Sequence, residues 1–334
     1  MNKSHYSAMF VTLVICFTAM LTFYIADKNR SIPADKTGSQ MSIKMILKAK
    51  ANPPDFWRIV QQGAQDAARE YGVSCEVTGP TAEGEIDGQI RLMEQAIAQK
   101  PDAIILAAAD YNKLVPVCQK ASEAGILLVT VDSDVNFDKT KSFVSTDNVE
   151  LGRKLAQQLD AFIGSLDKFG IIGHVKTVTT AMERERGLIE NAENASQRLV
   201  GIAYCNGSVE RARKQAKEMI LGNPDIRGMV GLNESSALGI AYALQDLGLG
   251  GKVKLVCCDS SEELIPLMEQ GIIQAFVIQN PFNMGYISVK NTVDLLQKKK
   301  DVPRFYDTKS VVVTKKTLYV KENQKLLFPF TDTK

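Results

Sequence analysis

The stretch Asp102–Asp132, DAIILAAADYNKLVPVCQKASEAGILLVTVD, determines how the rest of the sequence is interpreted. Two apolar runs within it, Asp102–Leu106 and Ile126–Val131, lack the alternation of apolar and polar residues that a half-solvated strand shows. Such runs are typical of strands buried on both faces of a parallel sheet. Leu114–Ala124 between them is predicted to be a helix, so the stretch indicates a strand, a crossover helix and a second parallel strand.

The same rhythm continues on both sides of this stretch and then restarts. Ile43–Leu47 is predicted to be a strand and Phe56–Tyr71 a helix, and a new series begins with the strand Lys168–Ile172. One open sheet with so many strands would be unusual. We therefore predict an α/β protein with two similar doubly wound parallel-sheet lobes joined by a three-crossing hinge. The later predicted strands are Leu199–Tyr204, Met229–Leu232 and Val253–Cys258.

The charge balance and the histidine count exclude several classes of partner and cofactor. Lys plus Arg number 40 and Asp plus Glu 38, so the net charge of +2 does not favour a nucleic acid. His5 and His174 are the only histidines, which excludes a His-rich metal site. There is no Ser–His or Cys–His arrangement and no P-loop pattern, so we expect a protein that is not an enzyme and needs no cofactor.

The N-terminal segment differs from the rest of the chain. From Ser7 to Ala26 no residue is charged, and about 20 apolar residues suffice to span a membrane. Because no Ala-x-Ala cleavage motif is present, we predict an uncleaved signal anchor over residues 1–26, with a cleaved signal peptide as the alternative. Residues 27–42 are polar and form a linker. The flanking charges do not determine the orientation of the span.

Polar planar side chains follow predicted strands in both halves of the folded part. Ligands of doubly wound sheets lie beyond the carboxyl ends of the strands, so these positions are candidates for a binding site. Their carboxylates and amides can take bidentate hydrogen bonds from vicinal hydroxyls. Asp and Asn also cap helices, which is the alternative role for each position. The residues are Asp132, Asn233, Asp259 and Gln279.

Three further candidates follow the first predicted strand. They are Lys50 and the aromatic pair Phe56 and Trp57. Aromatic rings cover the apolar C–H face of a sugar, so an aromatic pair beside amides and carboxylates suits a polyhydroxylated ring. Either ring could instead be ordinary core, because the helix that they begin continues with an apolar face.

A set of short motifs is spread over nearly the whole folded part. They are Asn52-Pro53 through Phe56-Trp57 to Gly63-Ala64-Gln65, Thr130-Val131-Asp132, Ser145-Thr146-Asp147-Asn148, Arg184-Glu185-Arg186-Gly187, Asn233-Glu234 with Ala237-Leu238-Gly239, Cys258-Asp259, and Gln279. Taken together, in this order and at this spacing, they resemble the ribose/galactose-type periplasmic sugar-binding proteins. That family shares its type I periplasmic binding protein fold with the effector domain of LacI-type repressors.

The resemblance implies a role for each matching residue. Phe56 and Trp57 match an aromatic pair that packs on the sugar ring. Arg186 matches an arginine that donates from the second lobe, and Gln279 matches a residue at the hinge. The carboxylate and amide ligands of the sugar hydroxyls are matched by Asp132, Asn233 and Asp259.

The resemblance also implies where the chain passes between the lobes. The first crossing is expected at Asp147 and the return at Gln279. We therefore expect lobe 1 to comprise residues 43–146 and 280–309, and lobe 2 to comprise residues 147–279 and 310–330.

The chain departs from the family pattern at positions that affect the choice of sugar. Pro54 stands where family members often carry Asn, and Ser133 where they often carry Arg. Lys50 occupies a position where a small hydroxyl is common. No aromatic residue occurs at 206–208 to close the second lobe on the sugar, although Tyr204 is near. A furanose signal molecule or a non-sugar polyol therefore remains an alternative to a common monosaccharide.

Two binding functions are compatible with these observations. The protein is expected to be a monomeric, membrane-anchored extracytoplasmic protein that delivers a monosaccharide to the permease of an ABC importer. The alternative is a sensing subunit that presents its bound sugar to a membrane histidine kinase; a tether raises the local concentration near either partner. A DNA-binding repressor is disfavoured because an apolar span precedes the folded part, where a helix-turn-helix would be expected.

Overall fold

The computed structural model describes residues 40–50 and 55–328, and these residues form two six-stranded sheets with helices packed on them. The strands are short, and those inside the sheets carry buried apolar runs, as in Ala103–Leu106, where every side chain is buried. In chain order the strands are β1 (Ser42–Ile46), β2 (Ser74–Thr78), β3 (Ala103–Leu106), β4 (Leu127–Val131), β5 (Phe143–Ser145), β6 (Lys168–Gly173), β7 (Leu199–Tyr204), β8 (Ile226–Gly231), β9 (Lys254–Cys258), β10 (Ile273–Ile278), β11 (Phe305–Asp307) and β12 (Val311–Thr314).

The helices cover the faces of both sheets, and glycines follow the ends of two of them. Gly72 and Gly125, both with positive φ, follow the first and third helices, as left-handed turns favour glycine. The helices are α1 (Asp55–Tyr71), α2 (Ile86–Ala98), α3 (Val115–Glu123), α4 (Asn148–Phe162), α5 (Thr179–Asn191), α6 (Ala195–Arg198), α7 (Val209–Gly222), α8 (Glu234–Asp246), α9 (Leu264–Glu269), α10 (Pro281–Leu296) and α11 (Lys321–Leu327).

The two sheets have the same strand order. The first runs β2-β1-β3-β4-β5-β11 with all pairs parallel, and the second runs β7-β6-β8-β9-β10-β12 with only β12 antiparallel. Both are doubly wound, so β1 corresponds to β6 and β4 corresponds to β9. The prediction of two similar α/β lobes with parallel-sheet cores is confirmed.

The chain passes between the lobes three times. It leaves the first sheet after β5, because α4 packs against strands of the second sheet, and it returns after β10, because α10 packs against α1. The last passage joins β11 in the first sheet to β12 in the second. The residue ranges predicted for the two lobes are compatible with this sheet membership and stay a prediction.

Glycines allow close helix packing in each lobe. A Cβ on Gly63 of α1 would lie 2.1 Å from the carbonyl oxygen of Phe282 in α10. In the second lobe, a Cβ on Gly152 of α4 would lie 2.3 Å from the carbonyl oxygen of Arg184 in α5. Separations this short exclude a side chain, so α4 and α5 meet backbone to backbone and Arg184 is held at this contact.

Within residues 40–50 and 55–328, no helix is both long enough and apolar enough to cross a lipid bilayer. The predicted signal anchor, residues 1–26, and most of the predicted linker lie outside the described residues.

Candidate functional site

Side chains from both lobes surround a small cavity of about 20 Å³ beyond the carboxyl ends of the strands. In parallel sheets these ends share one edge, which explains why residues far apart in sequence meet here. The first lobe contributes Lys48, Phe56, Trp57, Glu83 and Asp132, and the second lobe contributes His174, Thr180, Arg184, Asn233, Glu234, Asp259 and Gln279.

A buried ion pair forms part of the cavity wall in the first lobe. The Nζ atom of Lys48 lies 2.7 Å from Oδ2 of Asp132, although the angles do not make this contact an aligned hydrogen bond. Lys48 Nζ also donates to Oγ1 of Thr180 in the second lobe at 3.4 Å and lies 5.4 Å from the centroid of the Trp57 ring. Lys48 therefore joins the two lobes and the aromatic wall.

Two aspartates occupy corresponding positions in the two lobes. Asp132 directly follows β4 and has φ of 61°, and Asp259 directly follows β9 and has φ of 69°. Asp and Asn tolerate this left-handed conformation better than most residues, which accounts for the residue type at a sharp strand end. Asp259 Oδ1 accepts a 2.7 Å hydrogen bond from Nε2 of Gln279.

The arginine in the cavity wall is Arg184. Its Nε donates to Oδ1 of Asn148 at 2.8 Å, and its NH1 donates to the carbonyl oxygen of Leu232 at 2.8 Å. NH1 lies 4.0 Å from Oδ2 of Asp259, and the side chain is 2% exposed. This buried guanidinium is held in a fixed orientation by neighbours on three segments.

The prediction that Arg186 lines the same cavity is corrected by this placement. Arg186 is exposed and lines a separate groove of about 610 Å³ together with Asp134, Glu183 and Phe305. Residues two apart in a helix point about 200° away from each other, so only one of Arg184 and Arg186 can face the cavity.

Lys50 also lies away from the cavity. Its Nζ donates to the carbonyl oxygen of Val77 in β2 at 2.7 Å, and the residue is exposed. The chain continues past the end of β1 beside the segment that follows β2, where the Lys50 amide donates to the carbonyl oxygen of Pro80 at 2.9 Å. The lysine that reaches the cavity is Lys48, two residues closer to the strand.

Trp57 belongs both to the hydrophobic core and to the cavity wall. It is 2% exposed and packs with Val60 and Ala64, and its ring meets Phe56 edge to face at 4.9 Å between centroids. Its Nε1 donates to Oε1 of Glu83 at 2.8 Å. Burial raises the pKa of Glu83, whose Oε2 has no hydrogen-bond partner among the described residues.

Glu234 connects the second lobe to the first. It begins α8 and is buried, and its carboxylate oxygens accept the backbone amides of Asp55 at 3.4 Å and Phe56 at 3.5 Å, at the start of α1. A carboxylate at a helix N-terminus is favourable. Burial, with Asp259 and Asp55 adding to it, nevertheless raises the pKa of Glu234 to about 8.

Asn233 has the helix-capping role that was the alternative to ligand binding. Its Oδ1 accepts the backbone amide of Ser236 at 3.0 Å, and the Ser236 side chain completes a capping box. Asn233 also borders the cavity.

Sequence reasoning did not identify six cavity residues. Glu234 directly follows Asn233, and Arg184 lies in the motif that pointed to Arg186, so local signals were present for both. Glu83 and Thr180 lie in segments without a periodic pattern of apolar residues, so the sequence does not indicate which way their side chains point. His174 lies just past a predicted strand, and the sequence indicates no partner for it. The sixth is Lys48.

The chemistry of the cavity is that of recognition by hydrogen bonds. Carboxylates, amides and two cations lie beside an aromatic wall, and such groups can form hydrogen bonds with a hydroxylated ligand. Among the described residues no group of His, Cys, Asp and Glu is arranged to hold a metal ion.

Known proteins resemble this chain over most of its length. The family described as periplasmic binding protein domain matches residues 43–300. The D-allose-binding periplasmic protein of Escherichia coli is 30% identical over 274 residues, which cover 78% of this chain and 86% of that protein.

Solved structures resemble it in fold as well. A sugar transporter from Clostridium phytofermentans has a TM-score of 0.78 at 39% identity, covering 83% of this chain and 100% of that one. An ABC transporter solute-binding protein from Agrobacterium vitis with bound D-fucose has a TM-score of 0.81 at 31% identity, covering 86% and 99%.

Proposed function

The chain belongs to the periplasmic binding protein family, and on that premise we propose that it binds a monosaccharide in the cavity between its two lobes. One observation carries this proposal: hydrogen-bonding side chains from the strand ends of both lobes converge on one cavity beside Trp57. The D-allose- and D-fucose-binding relatives support a sugar as the ligand class. The family is one of binding proteins, and the chain is not an enzyme.

Unpartnered acceptors in the cavity favour a ligand with several hydroxyl groups. Oε2 of Glu83 and Oε1 of Gln279 are buried and have no hydrogen-bond partner among the described residues. A buried acceptor without a partner costs about 1–3 kcal/mol, which a ligand hydroxyl offsets by donating. A pyranose, a furanose and a linear polyol all provide such donors, and the choice among them is left to the binding experiment.

Lobe movement is part of the proposed mechanism. A cavity of about 20 Å³ is close to the size that holds one water molecule, so a monosaccharide enters only when the lobes separate. Direct contacts hold the lobes together here: Tyr111 N donates to Thr177 O at 2.9 Å, and Asp134 N donates to Oγ1 of Thr179 at 3.0 Å. Hinge bending at the three passages would break these contacts while leaving each sheet intact.

We propose that the bound sugar is delivered to the permease of an ABC importer. The structure with bound D-fucose is named as an ABC transporter solute-binding protein and the Clostridium structure as a sugar transporter, which supports import over presentation to a histidine kinase. Reconstitution in vesicles with either the permease or the kinase from neighbouring genes distinguishes the two roles.

We also propose that residues 1–26 anchor the protein with its folded part outside the cytoplasm. The uncharged apolar stretch Ser7–Ala26 and the polar segment after it support this arrangement. Washing membranes with carbonate and high salt should leave the protein bound, with its N-terminus at or near Met1. A soluble form that begins near Asp27 would contradict the anchor.

Binding of purified full-length chain to a panel of pentoses, hexoses and polyols tests the proposed function. Thermal shift identifies ligands because a compound that binds only the native state raises its stability, and calorimetry then gives the affinity. Asp259→Asn keeps the left-handed backbone but removes the charge, so it should weaken binding about tenfold. Asp87→Asn, in the exposed first turn of α2, is the matched control and should bind normally. Failure of every sugar and polyol to bind would overturn the proposal.

A further inference from the structure

His174 is buried in the cavity wall, and only one of its two ring nitrogens has a hydrogen-bond partner among the described residues. The residue is 2% exposed and directly follows β6. This strand has the same position in the second sheet as β1, the strand before Lys48, has in the first. Its Nε2 lies 2.9 Å from Oγ1 of Thr180. Its Nδ1 is buried and has no hydrogen-bond partner among the described residues.

The hydrogen bonds of Thr180 determine where the imidazole proton lies. Thr180 is 1% exposed, and its Oγ1 contacts Lys48 Nζ at 3.4 Å and His174 Nε2 at 2.9 Å. An ammonium group can only donate, so Lys48 cannot accept the hydroxyl proton of Thr180. No other acceptor contacts this hydroxyl among the described residues, so its proton is assigned to the bond with His174 Nε2, which places the imidazole proton on Nδ1.

The imidazole is neutral in this setting. Burial lowers the pKa of His174 well below its ordinary value, and the nearby cations Lys48 and Arg184 lower it further. The carboxylates that also border the cavity are Glu83, Asp132, Glu234 and Asp259. A neutral imidazole with Nδ1–H presents one hydrogen-bond donor without adding charge.

We propose that His174 is a specificity-determining residue that donates its Nδ1 hydrogen to an acceptor oxygen of the bound ligand. The inference rests on the proposed function and deepens it, since the other buried cavity atoms without a hydrogen bond to the described residues, Glu83 Oε2, Asp132 Oδ2 and Gln279 Oε1, are acceptor oxygens. The site therefore selects a neutral polyhydroxylated ligand that has an oxygen able to accept at the His174 position. A deoxy or ammonium analogue at that position leaves the buried Nδ1–H unpaired and binds less well.

Histidine NMR tests the tautomer without any ligand. The chain has only two histidines, so long-range proton–nitrogen spectra of the ¹⁵N-labelled full chain contain two ring systems, and a His5→Gln variant assigns them. The expected result is a neutral Nδ1–H ring near neutral pH. Thr180→Val removes the hydroxyl proton and should shift this ring toward the Nε2–H form. An imidazolium or a pure Nε2–H ring in the wild type would overturn the inference whether or not a sugar binds.

Two isosteric variants test the donor itself, with D-allose and D-fucose as probes. The side-chain amide of an asparagine would reach the place of Nδ1, whereas that of a glutamine would reach the place of Nε2, so His174→Asn and His174→Gln separate the two nitrogens. His174→Asn should bind within about threefold of wild type, and His174→Gln should bind about threefold to tenfold more weakly. Thermal unfolding checks that both variants fold.

The outcomes distinguish this inference from the proposed function. Wild-type chain that binds neither these probes nor any other sugar or polyol contradicts the proposed function. Wild-type binding with an equally tight His174→Gln variant contradicts the role of His174 alone. Loss of affinity in His174→Gln, retained affinity in His174→Asn and a shift of the Nδ1–H signal on adding sugar would together support it.

Discussion

Lys48 and Asp132 form an ion pair that is almost completely buried, with 2.7 Å between Nζ and Oδ2 and side-chain exposures of 4% and 3%. The two residues follow β1 and β4, which are separated in the sheet by β3. Removing one partner of such a pair leaves a buried charge without compensation, whereas removing both does not.

A double-mutant cycle at this pair should show strong coupling. Lys48→Met should lower the free energy of unfolding by about 3–5 kcal/mol, and the added Asp132→Asn should restore part of that loss. Urea denaturation of wild type, the two single variants and the double variant measures the coupling. Lys120→Met is the control, because its pair with Glu94 is exposed and contributes about 0–1 kcal/mol. Equal effects at the two lysines would contradict a special role for burial.

Two arginines of α5 provide a comparison within one helix. Arg184→Lys should weaken sugar binding about tenfold or more, because an ammonium cannot replace donors to Asn148, Leu232 and a ligand at once. Arg186→Lys should leave the affinity within about twofold, since Arg186 is exposed in the other groove. Calorimetry with the tightest-binding sugar of the panel measures both. A larger loss for Arg186→Lys would reverse the assignment.

Glu234 should make the stability depend on pH. Its pKa rises from the ordinary value of 4.5 to about 8 in the folded chain, so between these values the folded state holds a proton that the unfolded state has released. Stability should therefore fall as pH rises from about 5 to about 8. Glu234→Gln should flatten this slope and be the more stable chain at about pH 8.

The measurement for Glu234 is the urea midpoint at several pH values, compared with wild type. Glu210→Gln is the matched control, since Glu210 also lies in the first turn of a helix but has a side chain that is 79% exposed. Identical slopes for wild type and Glu234→Gln would show that the carboxyl titrates normally.

Trp57 should contribute to both folding and binding. Trp57→Ala should lower the free energy of unfolding by about 3–5 kcal/mol and also weaken sugar binding, because the ring is core and cavity wall together. Phe169→Ala removes a fully buried ring from the second lobe and should lower stability while leaving affinity unchanged. As the only tryptophan, Trp57 should also report ligand binding by fluorescence. Unchanged affinity in folded Trp57→Ala would exclude the ring from the site.

Gly152 should influence binding through the position of Arg184. Gly152→Ala places a Cβ 2.3 Å from the Arg184 carbonyl oxygen, so α4 and α5 must separate at a cost of about 1–3 kcal/mol, and affinity should fall with the displaced arginine. Gly222→Ala is the control because nothing lies within 4 Å of the added methyl group, and its effect should stay within about 1 kcal/mol. Denaturation and calorimetry give both quantities, and an affinity equal to that of wild type in folded Gly152→Ala would contradict this link.

The alternation of strands and helices was determined by the sequence alone. Buried strands such as Ala103–Leu106 and helices such as Val115–Glu123 are signalled by residues within a few positions of one another, so local patterns suffice. The strands Phe143–Ser145 and Phe305–Asp307 have only three residues each and were not recognised, because so short a run carries too little pattern. They form because a long-range partner is available.

The strand-end positions were also accessible from the sequence. Asp132, Asp259 and Gln279 follow buried strands directly, and a parallel sheet necessarily brings such residues to one edge. Chain order and strand direction therefore bring Asp259 and Gln279 together in the second lobe. Asp132 lies in the first lobe and meets them only because both lobes border the cavity.

Only the tertiary structure decided which neighbouring side chain faces the cavity. The motif around Arg184 and Arg186 is the same whichever residue points inward, and the choice follows from the rotation of α5 set by its contact at Gly152. Lys48, and not the predicted Lys50, lines the cavity for a similar reason. The direction of the chain after β1 depends on its pairing with β2. Side-chain direction at these positions depends on packing between segments distant in sequence, and no local pattern records that packing.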